Sequence, residues 1–192
     1  DMDVLSASYI DDKIAWYEND GNQVFTEQVI TTNADRPLSV YATDVDGDGD
    51  MDVLSASYID DKIAWYENNG DQGFTEQVIT TNTDYATSVY TTDVDGDGDM
   101  DVLSASSYDD KIAWYENDGN QVFTEQVITT NAYGAYSVYA TDVDGDGDMD
   151  VLSACTDDKI AWYENNGTQG FTEQVITTNA DRAYSVYATD VD

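Results

Sequence analysis

Short apolar segments alternate along the whole chain with turns rich in aspartate, asparagine and glycine. In one representative stretch the apolar segments cover residues 39–44, 52–57, 62–67 and 74–81. They are dominated by β-branched and aromatic residues and show no helical period of adequate length, so each predicts a β-strand. The Asn-Asn-Gly sequence at residues 68–70, between the last two segments, is typical of a hairpin turn.

The third of these predicted strands is apolar on both faces. Ile63 and Trp65 share one face, while Ala64 and Tyr66 share the other. A free-standing antiparallel sheet usually keeps one polar face, whereas a sheet packed between two neighbours, as in a propeller blade, has none. We therefore expect the tryptophan to pack between sheets, with a sugar-stacking platform as the alternative.

This four-strand pattern is repeated along the chain. Trp16, Trp65, Trp114 and Trp162 recur at intervals of 49, 49 and 48 residues. A period in this range indicates a propeller, a solenoid or an array of small units. The predicted fold class is an all-β protein, a β-propeller of four-stranded blades, with four repeats in one array over residues 1–192. The predicted units are residues 1–38 completed by 185–192, then 39–87, 88–136 and 137–184.

An acidic loop lies between the first and second predicted strands of each unit. It is Asp-Val-Asp-Gly-Asp-Gly-Asp-Met-Asp at residues 44–52, and it returns at 93–101 and 142–150. Aspartates at positions 1, 3 and 5, followed by a glycine at the sharp turn, are the pattern by which a loop surrounds calcium. An EF-hand is excluded, because position 12 is Ser55 and both flanks predict strands.

A fourth copy of the acidic loop is divided between the two ends of the sequence. Asp190 and Asp192 carry its first part, and Asp1 and Asp3 carry its last part. We expect this site to bind metal weakly or not at all. Two closures are open: a four-bladed ring within one chain, or an eight-bladed ring formed by a head-to-tail homodimer.

Composition narrows the possible functions. The formal net charge is −35, from 41 acidic and 6 basic residues, which disfavours binding to nucleic acid or to anionic membranes. The sequence has no histidine, no apolar run long enough to span a membrane and no signal peptide.

Cys155 replaces a serine of the other repeats and is expected to be a buried thiol. We expect no enzyme activity, because the adjacent Asp11 and Asp12 are more simply explained as solvated turn residues than as a glycosidase pair.

The acidic loop, followed by a strand and the sequence Tyr-Glu-Asn-Asp-Gly at residues 17–21, resembles the FG-GAP/VCBS repeat family of integrin α-chain propellers and secreted bacterial proteins. The resemblance covers the whole chain and implies an extracellular or cell-surface β-propeller with calcium as its cofactor. Family propellers usually have seven blades, and four repeats depart from that number. The resemblance implies that the carboxylates at loop positions 1, 3, 5 and 9, with the main-chain carbonyl at position 7, bind the metal. These residues are Asp44, Asp46, Asp48, Asp50, Asp52, Asp93, Asp95, Asp97, Asp99, Asp101, Asp142, Asp144, Asp146, Asp148 and Asp150.

Differences between the repeats concentrate in the loops at the other ends of the strands. Binding residues are often placed on loops of a rigid scaffold, although drift in unconstrained loops explains the same pattern. The predicted function is therefore a non-enzymatic calcium-binding adhesion module for a glycan or a protein, and the alternative is a structural spacer within a larger surface protein. No nucleic-acid partner and no membrane insertion are expected. The candidate ligand-binding residues are Tyr9, Arg36, Tyr58, Tyr85, Tyr108, Tyr133, Tyr136, Arg182 and Tyr184.

Overall fold

The structure, a computed structural model, describes residues 1–191 and is built from strands and turns, with no helix among those residues. Fifteen strands follow one another in the order that the apolar segments predict. They are β1 (Val4–Ser8), β2 (Lys13–Asn19), β3 (Phe25–Thr31), β4 (Pro37–Thr43), β5 (Asp52–Ser57), β6 (Lys62–Asn68), β7 (Phe74–Thr80), β8 (Ala86–Thr92), β9 (Asp101–Ser106), β10 (Lys111–Asn117), β11 (Phe123–Thr129), β12 (Ala135–Thr141), β13 (Asp150–Cys155), β14 (Ile160–Asn165) and β15 (Phe171–Thr177).

The strands form four antiparallel sheets in which each strand pairs with its neighbours in sequence. Three sheets have four strands, β4 to β7, β8 to β11 and β12 to β15, and the first sheet has the three strands β1 to β3. Strands β4, β8 and β12 lie beside one another, so we call them the inner strands. The all-β, propeller-like architecture predicted from the sequence is confirmed. The four sheets are not closed into a ring in this structure.

The hydrophobic core lies between consecutive sheets. Trp65 and Leu54 of the second sheet pack against Val102 and Tyr115 of the third. The same arrangement recurs between the third and fourth sheets, where Trp114 is 1% exposed. Both faces of the middle strands are apolar because each face meets another sheet, and Trp65 and Trp114 are buried as predicted. The sequence predicts the same packing for Trp16 and Trp162, which are only half-buried.

Polar and aromatic side chains connect the inner strands to one another. The Oγ of Ser39 accepts a hydrogen bond from the N–H of Val89 at 3.2 Å, and the Oγ of Ser88 accepts one from the N–H of Val138 at 3.3 Å. The ring centroids of Tyr41 and Tyr90 are 4.8 Å apart, and those of Tyr90 and Tyr139 are 4.9 Å apart. Burial, together with these tyrosine neighbours, raises the pKa of Tyr90. Each unit therefore repeats the contacts of the one before it.

Cys155 is a free, buried thiol at the end of β13. Its Sγ lies 3.6 Å from the Oγ of Ser153, and burial raises the pKa of the thiol. This placement agrees with the buried role predicted from the repeat position. Among the described residues there is no helix that could cross a membrane.

Candidate functional site

Each complete acidic loop connects an inner strand to the second strand of the same sheet. In the first loop Gly47 and Gly49 have φ angles of 79° and 94°, which L-amino acids rarely adopt. The carboxylate of Asp44 accepts hydrogen bonds from the N–H groups of these two glycines, at 2.8 and 3.0 Å. The glycines therefore let the loop curl around its own first aspartate.

Carboxylate oxygens of three aspartates come within 4.8 Å of one another in every complete loop. Like charges at such spacing repel strongly unless a cation lies among them. Every ion pair in residues 1–191 joins a lysine to a carboxylate outside these loops. An all-oxygen donor set without a basic partner fits a hard divalent cation such as calcium. The three clusters are Asp44, Asp46 and Asp48; Asp93, Asp95 and Asp101; and Asp142, Asp144 and Asp146.

The aspartate at position 9 of each loop is buried and fixes two segments at once. In the second loop, one oxygen of Asp101 accepts the N–H of Val94 and the other accepts the N–H of Asn117, both at 2.8 Å. Burial raises the pKa of Asp101 to about 7, although these two hydrogen bonds oppose the shift. Asp52 has the same environment, and its pKa is raised to about 6. Position 9 therefore ties the loop to the hairpin that follows the third strand of its sheet.

The side chain at position 7 faces that hairpin and lies outside the three carboxylate clusters. A Cβ atom added to Gly119 would come 2.6 Å from the Oδ2 of Asp99, and the pairs Gly70 with Asp50 and Gly167 with Asp148 repeat this distance. The hairpin glycine is thus required for close approach to the loop. The third member of the carboxylate cluster differs between the loops. It is the position 5 aspartate in the first and third loops, but the position 9 aspartate, Asp101, in the second, where Asp97 lies outside the cluster.

Adjacent sheets also meet at these loops, which the sequence did not predict. The side-chain amide of Asn165 donates to the carbonyl oxygen of Val94 at 3.2 Å, and that of Gln169 donates to the Oδ2 of Asp95 at 3.1 Å. Asn165 and Gln169 belong to the hairpin of the fourth sheet, whereas Val94 and Asp95 belong to the acidic loop of the third. Every hairpin has a glutamine at the position of Gln169, and each of these glutamines has a positive φ angle. This recurring glutamine is the feature of the sequence that could have indicated the contact.

Two described residues of the divided fourth loop keep contacts of the complete loops. Asp3 accepts the N–H of Asn19 at 2.8 Å, as position 9 does in the complete loops. A Cβ added to Gly21 would come 2.7 Å from the Oδ2 of Asp1, which therefore occupies position 7. Within the part of the chain that the structure describes, Asp1, Asp3 and Asp190 do not join in a cluster. Asp192, also predicted for this site, lies outside the described residues.

Lowering the pH from about 8 to about 6 in EDTA is expected to raise the free energy of unfolding. The pKa of Asp101 is about 7 in the folded protein against an ordinary value of 3.8, so over this interval the folded state takes up protons and the unfolded chain does not. The penalty of a buried charge, present above the folded pKa, is relieved as the pH falls through it. Urea denaturation at a series of pH values measures the effect, and a loss of stability over the interval would contradict it.

Tyrosines from the turns and linkers gather at the opposite ends of the strands. Tyr58 and Tyr85 are stacked with ring centroids 4.4 Å apart, Tyr9 lies 6.4 Å from Tyr58, and Tyr108 lies edge-on to Tyr85 at 5.5 Å. The guanidinium of Arg36 lies 5.3 Å from the ring centre of Tyr9. We call these five residues the aromatic face.

Within residues 1–191, the remaining candidate ligand residues make no ring contact with these five. Tyr136 and Tyr184 form an edge-on pair at 4.7 Å. Tyr136 nevertheless lies near the aromatic face, because its pKa is raised by burial and then by Tyr184, Tyr58 and Tyr9. Tyr133 is 57% exposed, and within residues 1–191 neither it nor Arg182 makes a ring contact. Of the nine residues that the sequence selected, five therefore contact one another in the aromatic face, and Tyr136 lies near it.

The paired aspartates of the turns have structural partners. Asp12 accepts the N–H of Arg36 at 3.1 Å, and Asp11 lies 3.6 Å from the Nζ of Lys13. In the next unit Asp61 accepts the N–H of Tyr85 at 2.9 Å. Asp12 and Asp61 therefore fix the main chain of the linkers that carry Arg36 and Tyr85 of the aromatic face.

Comparison with known proteins places the chain among repeat proteins. A family model described as FG-GAP-like repeat matches residues 1–55, 44–104, 93–153 and 142–192. A protein from Lactobacillus plantarum has a crystal structure that aligns over 91% of this chain and 52% of its own, with 15% identity and a TM-score of 0.63. A functionally unknown protein from Desulfotomaculum acetoxidans DSM 771 aligns over 91% of this chain and 54% of its own, with 12% identity and a TM-score of 0.58. These likenesses show the fold alone, and the chain spans about half the length of either protein. A comparison with curated proteins found no match.

Proposed function

The chain belongs to the FG-GAP-like repeat family, and from that premise we propose that it is an extracellular, calcium-dependent binding module without enzyme activity. Its repeats supply a rigid set of sheets, its acidic loops hold calcium, and its aromatic face binds a glycan or a protein. FG-GAP repeats occur in extracellular proteins, where free calcium is in the millimolar range that such loops can use.

The calcium assignment rests above all on one observation, the approach of three carboxylates to within 4.8 Å in each of three loops. Bound calcium would neutralise part of this charge and accept the oxygens as ligands. The chain's own part is to aim the oxygens inward, which the loop glycines and the N–H groups bound to position 1 achieve. Position 9 then connects the loop to the hairpin of the same sheet.

The aromatic face is the best candidate for recognition because it combines flat apolar rings with a cation. Tyr108 is 71% exposed and presents its ring at the edge of the cluster, beside the stacked Tyr58 and Tyr85. Such rings stack on the apolar faces of sugars, and their hydroxyl groups can bond to sugar hydroxyls. With a net charge of −35, the protein is suited to a neutral or basic ligand and not to a polyanion.

The structural spacer remains the second candidate, and the stacking of Tyr58 on Tyr85 favours it. The two rings are nearly parallel, at 11°, and half-buried, so each covers a surface that a ligand would need. In a spacer these tyrosines would serve only to join adjacent units.

A glycan array and a panel of matrix proteins, probed with the calcium-loaded chain, separate the two candidates. We expect Tyr108→Ala or Arg36→Ala to weaken binding at least about tenfold, equivalent to about 1.4 kcal/mol. Met51→Ala is the matched control, because Met51 is 55% exposed but lies in an acidic loop at the other end of the strands. Binding that is lost equally in the control would reject the aromatic face, and no binding to any probe would support the spacer.

A further inference from the structure

The hairpin between β14 and β15 contacts two acidic loops, one in its own sheet and one in the third sheet. On its own side, the main-chain N–H of Asn165 donates to the Oδ1 of Asp150 at 2.8 Å. On the other side, the side-chain amide of Asn165 donates to the carbonyl oxygen of Val94 at 3.2 Å. The amide of Gln169 adds a hydrogen bond to the Oδ2 of Asp95 at 3.1 Å. A single turn therefore connects two candidate metal loops that belong to different sheets.

Through this hairpin, a path of hydrogen bonds runs from the position 9 aspartate of one loop to that of the next. The Oδ2 of Asp101 accepts the N–H of Val94 at 2.8 Å, and the carbonyl oxygen of Val94 accepts the side-chain amide of Asn165. The main-chain N–H of Asn165 continues the path to Asp150. All four residues are at most 3% exposed, so water does not compete for these bonds.

Both loops have candidate ligands among the residues that the hairpin holds. Asp95 and Asp101 belong to the carboxylate cluster of the second loop. In the third loop, Asp150 is the position 9 aspartate, and the close approach of Asp148 to Gly167 brings a second residue against the hairpin. A cation that orders either loop therefore also orders the turn against which the other loop packs.

The interface between the second and third sheets has the same residues but lacks this connection. The N–H of Asn117 donates to the Oδ1 of Asp101 at 2.8 Å, and Asn117 is 1% exposed. Its side-chain amide donates to the carbonyl oxygen of Met100 at 3.2 Å. Within residues 1–191 that amide makes no hydrogen bond to Val45, the counterpart of Val94, so the path from the first loop to the second is interrupted.

The glutamines of the two hairpins differ in the same way. Gln121 and Gln169 are both exposed and have φ angles of 59° and 62°. Gln121 lines a cavity together with Asp46, the counterpart of Asp95. Among the described residues, however, its side-chain amide has no hydrogen-bond partner, whereas that of Gln169 binds Asp95. The two glutamines are therefore a matched pair that differs in one bond.

We propose that calcium binding to the second and third acidic loops, residues 93–101 and 142–150, is coupled through the hairpin between β14 and β15. Asn165 and Gln169 are the positioning residues. An ion bound to either loop orders this hairpin, so the next ion has less to order and binds more tightly. The first loop, residues 44–52, has no such connection to the second and binds its ion independently. The coupling rests on the calcium-binding function proposed above.

Variants with one or two working loops measure the coupling. Asp44→Asn, Asp93→Asn and Asp142→Asn each remove one loop from calcium binding, and calorimetric titration gives the binding constants. When the second and third loops are left together, the overall constant should exceed the product of the two single-loop constants by at least about fivefold. For the first and second loops, the overall constant should equal the product to within about twofold. Equal factors for the two pairs would overturn the proposal.

Gln169→Ala, made in the otherwise unchanged chain, tests the path without removing a candidate ligand. We expect it to lower the overall constant for the three calcium ions about tenfold, since residues that orient a metal ligand affect affinity by about 10- to 100-fold. Gln121→Ala is the matched control and should leave that constant nearly unchanged. In EDTA the two variants should melt alike, because both side chains are exposed, whereas a purely structural role of Gln169 would lower the melting temperature there. Equal calcium affinities in the two variants would reject Gln169 as a positioning residue.

The same titrations separate the coupling from the function on which it rests. Binding of three calcium ions with no coupling factor would reject the coupling and leave the calcium loops in place. Absence of calcium binding in the unchanged chain would reject both.

Discussion

EDTA is expected to lower the melting temperature of this protein by more than about 10 °C relative to millimolar calcium. Each complete loop brings three carboxylates within 4.8 Å, and calcium bound to the folded state alone stabilises it by mass action. At a calcium concentration about a hundred times the dissociation constant, one site contributes roughly 2.7 kcal/mol, and about 1 kcal/mol moves the melting temperature of a domain of this size by about 2–4 °C. Calorimetry with calcium, with magnesium and with EDTA measures the shift, and an identical melting curve in EDTA would remove the metal assignment.

Two single substitutions show which atoms are responsible. Asp93 binds the N–H groups of Gly96 and Gly98 and belongs to a carboxylate cluster, so Asp93→Asn should abolish one of the three strong calcium sites in a calorimetric titration. Asp99 is the matched control. It faces the hairpin glycine Gly119, and its proposed ligand is the main-chain carbonyl oxygen, so Asp99→Asn should keep all three sites. Equal losses in the two variants would contradict the assigned ligands.

Trp114→Ala is expected to lower the free energy of unfolding by about 3–5 kcal/mol, the range for deleting a large buried aromatic side chain. Trp114 is 1% exposed and lies between the third and fourth sheets, in contact with the cluster that includes Val151 and Tyr163. Removing the indole would leave a cavity that two sheets held by their own strand pairing cannot readily fill.

Urea denaturation in calcium measures this loss. Tyr133→Ala is the control, because Tyr133 is 57% exposed and should change stability by no more than about 0.5 kcal/mol. If Trp114→Ala proved as mild as the control, the tryptophan would not be a core residue, and its alternative role as a sugar platform would have to be reconsidered.

The strands could be predicted from the sequence because their cause is local. Alternating apolar residues and the Asn-Asn-Gly and Asn-Asp-Gly turns define four strands per unit, and three of the sheets have them. The first sheet has three, and the strand predicted over residues 185–190 is not formed. The largest difference in a boundary is at β4, which begins at Pro37, two residues before the predicted start, whereas the ends of β4, β6 and β7 differ by one residue. The register shift between Pro37 and Ser39 also occurs after Ala86 and Ala135, so it belongs to the repeat and not to the proline. Pro37 is tolerated because it is the first residue of the strand, where its missing N–H costs little.

The metal loops were predictable for a similar reason, since all their candidate ligands lie within nine residues. The contacts that were missed join residues far apart in sequence. Gln169 reaches Asp95 only because two sheets pack side by side, and Asp12 reaches the N–H of Arg36 only because a turn and a linker meet. No local spacing encodes such contacts. The sequence also left open whether the sheets close into a ring of four or of eight. The number of sheets in a ring depends on the angle between neighbouring sheets, which no local spacing encodes either.

The near-identity of the units gives the acidic loops a further consequence, for folding. Strands β5 and β9 share the sequence Asp-Val-Leu-Ser-Ala-Ser, and β13 differs from it only at Cys155, so an inner strand meets several almost equivalent partners while the chain collapses. The connection between β4 and β5, residues 44–51, makes the correct partner the fastest to find, because a short link closes sooner than a span of one whole repeat. The same loops that gather the aspartates thus protect the array from scrambled pairing.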